Sequence, residues 1–306
     1  GANINMSSNN AQTWNGDFTF TGTNDLNLGT GAVTMGASRQ VTTTAGILTV
    51  GGIINNNAQT LTKVGTGELD FVAQAVTLNG ITISAGTLKS TSGILSLVGD
   101  FSNSGTFTHN NGTVVFNGTS NQTLGTSGTQ AFYNLTINNT GASGSDNVTL
   151  SAPATVANTL TLTDGILVTT SNLLTITNPS SAATNGGSTG SYVNGPIRWN
   201  GLNGAGPFIF PTGAGSTKWA RVAVSNITSA TDFTGQYFNA AYVDHNTLSA
   251  VPPYLYTLSG VEYWDVDRTS GAGSAQVTLY WENATTSGIN NFQFLRVAHY
   301  TGGSWK

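Results

Sequence analysis

The sequence predicts an all-β protein, a parallel β-helix followed by an immunoglobulin-like β-sandwich, and three observations carry that prediction. Short apolar–polar alternations recur behind glycines at a period near 20. The chain carries little charge. Beyond residue 191 the alternating runs lengthen and gain tryptophan. Period-two alternation marks strands, and a fixed period near 20 marks a solenoid whose coils bury their apolar side only by stacking.

The first coils start at Gly46 (GILTV), Gly67 (GELDF), Gly86 (GTLKS) and Gly105 (GTFTH), in steps of 21, 19 and 19 residues. Gly93 (GILSL) and Gly112 (GTVVF) are again 19 apart, and AQTW at 11, AQTL at 58 and NQTL at 121 mark a further corner. Leu48 and Val50, Leu69 and Phe71, Leu95 and Leu97, Val114 and Phe116 point to one side of their strands. Thr49, Glu68, Asp70, Thr87 and Lys89 point to the other. The stretch GTFTHNNGTVVFNG, 105–118, therefore reads as two sides of a coil and not as an Asn-Gly hairpin.

From about 132 the runs FYNLTINN, DNVTLSA, NTLTLTDG and NLLTITN place Leu135, Val148, Leu160 and Leu173 at steps of 13, 12 and 13. They read as the same solenoid with more compact coils, an antiparallel meander being the alternative. Residues 1–180 are thus predicted as the β-helix and 181–191, within a Pro-, Gly- and Ser-rich stretch, as a linker. Residues 192–306 hold seven alternating runs, from YVNGPIRWN to NFQFLRVAHY, and five of the six tryptophans, which predicts the sandwich.

Charged residues make up 7% of the chain, against about 25% in ordinary soluble domains. Hydrophobic residues at 38%, with 13 Phe and 9 Tyr, supply the apolar surface that a disordered chain lacks. Net charge −4 with nine Lys and Arg leaves no basic stripe, which argues against nucleic acid and anionic membranes as partners. There is no cysteine, so disulfides and thiolate metal sites are excluded. No apolar run approaches the length of a membrane-spanning helix. The opening GANINMSSNN has neither a basic n-region nor an apolar h-region, and HYTGGSWK breaks off where a strand starts. Both read as a fragment of a longer exported protein.

LTKVGTGELDF at 61–71, with AQTL before it and GTLKS after it, resembles the autotransporter-associated β-strand repeat of bacterial surface proteins. GTFTHNNGTVVFNGTSNQTL, FYNLTINNTG, NVTLSAPATVANTLTLTDGIL, SYVNGPIRW and FIFPTGAGSTKWARVAV resemble the large repetitive cell-surface proteins of Bacteroidota exported by type IX secretion, gliding-type adhesins among them. Architecture and resemblance together imply an extracellular, cell-surface, non-enzymatic protein, a structural stalk or adhesin segment. Its partners would be copies of itself, in a fibre or surface lattice, or extracellular glycans. A carbohydrate-binding module is the alternative function, and a polysaccharide lyase or glycoside hydrolase the third.

Asp265 and Asp267 in EYWDVDR share a strand face, roughly 7 Å apart. The plain reading is a solvated face beside Arg268. The functional ones are a calcium site, which needs six to eight oxygens, or paired-carboxylate glycoside chemistry. Trp199, Trp219 and Trp305, near strand ends, are candidates for stacking on sugars, whereas Trp264 and Trp281 sit mid-strand and are assigned to the core. The β-helix half has only Arg39, Lys63 and Lys89 as cations. Glu68 and Asp70, sharing a face beside Lys89 one coil on, read as a cross-strand ion pair and not as lyase machinery. His109, His245 and His299 lack metal-ligand spacing, and His109 reads as a hydrogen-bonded core or end-of-coil residue. No GxSxG elbow occurs, and GAGSTKW and GLNGAGP lack the phosphate-loop spacing. No catalytic residue and no cofactor other than calcium is expected.

Overall fold

The alternating runs become short strands because the corners between them hold residues that tolerate a left-handed backbone. Gly86 (φ +66°) is such a corner, and a Cβ there would stand 2.6 Å from the carbonyl oxygen of Gly67 in the preceding coil. The computed structural model describes residues 2–72, 74–246, 248 and 255–306. Almost all of the regular structure is strand, wound into a parallel β-solenoid of about ten turns.

Each early coil contributes strands to three faces, and the strands bond in parallel to their equivalents in the neighbouring coils. Ile4–Asn5, Leu26–Asn27, Ile47–Thr49, Glu68–Asp70, Thr87–Lys89 and Thr106–Thr108 form the first face, in parallel register. That register stacks Leu26, Leu48, Leu69, Leu88 and Phe107 into one inward column. On the second face the column is Val33, Ile54, Val76, Leu95, Val114, Leu135 and Leu160. On the third it is Leu61, Ile81, Phe101, Leu124 and Leu150. The columns meet in a single buried apolar cluster that runs from Trp14 to Phe233. Burying each such side chain contributes roughly 1.5–3 kcal/mol. The segment 105–118 is two sides of a coil, since Thr106–Thr108 and Thr113–Phe116 pair in parallel with the preceding coil and not with each other.

Three expectations change. The coils after 132 are not more compact: Leu135 stands opposite Leu160, 25 residues on, while Val148 pairs on another face with Leu167. The 12- to 13-residue beat is therefore half a coil. Residues 181–191 hold the 3-10 turn Ser181–Ala183, the strand Thr184–Gly186 and a bridge between Ser188 and Ser191. Thr184–Gly186 pairs in parallel with Ala154–Asp164, so the solenoid continues through this segment. Coil corners and linkers draw on the same residue types, which is why composition suggested a break.

Beyond it, Ile197–Gly204 is parallel to Leu174–Ile176 on one side and antiparallel to Ile227–Phe238 on the other. Tyr263–Ser270 follows, antiparallel again. A second antiparallel ladder joins Phe208–Phe210, Val222–Ser225 and Gln276–Leu279. Trp199, Phe208, Phe210, Val222, Val224 and Phe233 from these strands belong to the solenoid's own core cluster. In place of a separate seven-stranded sandwich, the pairing describes two three-stranded ladders, one of them grafted onto the last coil. NFQFLRVAHY supplies only Tyr300, the first residue of the strand Tyr300–Thr301, and its Phe292 and Phe294 are exposed.

Candidate functional site

The antiparallel strands Ile227–Phe238 and Tyr263–Ser270 turn one face inward and one outward. Phe233 and Tyr237 are buried and Trp264 and Val266 pack against the core. Alternation then sends Thr234, Gln236, Phe238, Tyr263, Asp265 and Asp267 outward. Register pairs Phe238 with Tyr263, Gln236 with Asp265 and Thr234 with Asp267. The aromatic rings stack face to face, 4.5 Å apart and within 5° of parallel. Arg198 lies opposite Thr234 on the next strand, and its Nε donates to the Thr234 hydroxyl at 3.3 Å. Tyr242 packs edge-on against Tyr263 at 5.1 Å and against Trp305 at 5.4 Å. Trp305 is half-buried, its Nε1 donating to the Asp244 carbonyl at 3.1 Å, and Tyr300 donates to the Asp244 carboxylate at 2.8 Å.

The strip carries two carboxylates against one cation, Arg198, which reaches Thr234 and not a carboxylate. Neither Asp265 nor Asp267 forms an ion pair among the described residues. Burial, and then the neighbouring Asp267 charge, push the Asp265 carboxyl above the usual carboxylate range. Burial, Asp265 and Tyr242 push the Tyr263 phenol up as well. Among the described residues no group of three His, Asp or Glu side chains comes together. Two carboxylates alone leave most of a calcium ion's oxygens to be supplied by water.

The other sugar-stacking candidates are closed off. Trp199 is 0% exposed, its Nε1 donating to the Asn178 carbonyl at 2.7 Å and its ring edge-on to Phe208 and Phe210. Trp219 is 8% exposed, held between Tyr192 and the Arg221 guanidinium. A strand end looks accessible from sequence, yet here the antiparallel ladders cover it. Conversely Trp281, assigned to the core, is exposed beside Phe292.

On the solenoid, Lys89 and Asp70 form the expected cross-strand ion pair at 2.9 Å, and burial followed by the Asp70 charge raises the Glu68 carboxyl. His109 sits half-buried at a coil corner, its Nδ1 accepting from the Asn111 amide at 3.0 Å. Lys63 escaped the functional reading of the sequence. It is fully buried, and its Nζ donates to the carbonyls of Val64, Gly65 and Ala85. The signal was parity, because Lys63 shares the inward face of its strand with Leu61. Cavities of about 570 and 310 Å³ open at the first coils, around Phe20, Leu26, Trp14 and Phe18, with Asp25 as their one charged lining residue. No described surface of the solenoid brings an acid–base pair into a cleft.

No known protein family matches this chain, and neither a curated protein nor a solved structure shows detectable similarity to it.

Proposed function

We propose that this chain is a non-enzymatic segment of an extracellular bacterial surface protein, a β-helical stalk that carries the antiparallel ladders at one end. The observation that supports this reading is the single dry core running from Trp14 to Phe233. A rod of about ten coils at the strand spacing of about 4.8 Å is roughly 50 Å long, and the ladders of backbone hydrogen bonds make it stiff. We read the antiparallel ladders as a rudimentary sandwich that shields the last coil, whose free edge would otherwise invite aggregation.

The extracellular location is supported by the repeats that resemble autotransporter-associated β-strands and by the runs that resemble Bacteroidota surface proteins. Antibodies to the chain should label intact cells of its source organism; labelling that requires lysis would refute the surface location. Head-to-tail growth into a fibre finds no matching edge at the far end, where Ile197–Gly204 and Thr212–Ala214 are already paired antiparallel to Ile227–Phe238 and Lys218–Trp219. A lateral lattice remains compatible with the low charge. Release of reducing ends or unsaturated sugars from pectin, alginate or chitin by the purified chain would overturn the non-enzymatic reading.

A further inference from the structure

We propose that the outward strip built by Phe238, Tyr263, Gln236, Asp265, Thr234 and Asp267 binds a neutral oligosaccharide, its apolar ring face packing on the aromatic pair and its hydroxyls donating to the two carboxylates. The inference does not depend on the stalk reading, since a spacer needs no such strip.

Three features of the strip point to this ligand class. The first is order along the strands. Same-face residues recur roughly every 7 Å, so the three cross-strand pairs run for about 14 Å as aromatic wall, then amide with carboxylate, then hydroxyl with carboxylate. Sugars present the same sequence of surfaces, a C–H face bounded by a ring of hydroxyls. Tyr242, packed edge-on at 5.1 Å, holds Tyr263 upright, and Arg198 beside Thr234 adds a donor for a sugar oxygen. The aromatic pair is rigid, so little side-chain freedom is lost on binding.

The second is sign of charge. With Asp265 and Asp267 unpaired, the strip repels uronate-rich polymers, while hydroxyl donors satisfy carboxylate acceptors without a counter-ion. The third is a standing cost in the free protein. Two like charges on adjacent same-face positions disfavour each other; burial first, and the Asp267 charge second, raise the Asp265 carboxyl.

The test is affinity electrophoresis of the whole chain through native gels containing hydroxyethyl cellulose, xyloglucan, arabinoxylan, polygalacturonate or alginate. Retardation is expected in at least one neutral gel and in neither anionic one, unchanged by chelator. The double variant Asp265→Asn, Asp267→Asn keeps the shape of the strip and should weaken retardation at least tenfold. Tyr263→Ala should abolish it, with circular dichroism reporting whether the fold survives. No retardation in any neutral gel, equal retardation of the Asn variant, or binding only to anionic polymers in the presence of calcium would each overturn the proposal.

Discussion

Lys63 stands in an inward column between Val41 and Ile83, where its neighbours along the ladder are apolar. Three backbone carbonyls at 2.8 to 3.2 Å use all three ammonium donors, so the charge is hydrogen-bonded though it has no counter-ion among the described residues. Burial pushes its pKa down to about 8. In the unfolded chain a lysine titrates near 10.4, so between these values the unfolded state binds more protons and stability rises with pH. Melting temperature should therefore climb between about pH 8 and 10, and that slope should vanish in Lys63→Met. Asp265 has the opposite sign. Its folded carboxyl is raised, so stability is greatest below the unfolded value and falls as pH rises through the folded one. Asp265→Asn should raise the melting temperature at pH 7 by roughly one to two degrees, since an exposed like-charge contact is worth below about 1 kcal/mol. At this scale the sequence was legible by parity and misleading by type. Leu61 and Lys63 share a face in any strand, but a lone lysine argues for solvent, and tryptophans at strand ends argued for exposure that the covering ladders remove.

The corners of the coils, more than the strands, set how far the elements could be read in advance. From Gly46 to Phe116 the glycines and the apolar parity give the coils directly, because the same corner glycine returns every 19 to 21 residues. From about 100 to 140 buried amides also hold the corners, and no glycine beat reports them. Gln122 accepts from the Gly118 amide at 3.1 Å and from Asn139 Nδ2 at 3.0 Å, and donates to the carbonyls of Leu97 and Gly99. Asn103 donates to Gln130 at 2.8 Å in the same manner. Gln122→Ala strands several buried partners at once and should cost about 2–4 kcal/mol, read as a lowered denaturant midpoint. An equal midpoint would mean that water replaces the amide. On the outer surface Asn134 links Thr113 to Asn158, and Asn158 in turn accepts from Asn178, a ladder that sequence order alone does not align.

For the whole molecule the decisive contact is Trp199, which lies opposite Ile176 on the solenoid side and Phe233 on the antiparallel side. One core spans both architectures, and the change in composition near 180 precedes the change in strand direction: Thr184–Gly186, Val193–Asn194 and Ile197–Trp199 still pair in parallel, and the antiparallel ladders begin only with Phe208–Phe210 and Ile227–Phe238. Trp199→Ala should cost about 3–5 kcal/mol. Hydrogen exchange should then accelerate in Leu174–Ile176 as well as in Ile227–Phe238. Acceleration confined to the antiparallel side would mean that the ladders fold as an independent unit.

The parallel register also fixes how the molecule responds to being stretched. The hydrogen bonds between coils run along the long axis, so a tensile load on that axis pulls on one coil's bonds at a time, as a zipper opens tooth by tooth. Each coil of about 21 residues would pay out roughly 65 Å of slack on yielding. The rod would thus behave as a shock absorber, lengthening in even increments under tugging and recoiling when the tug relents.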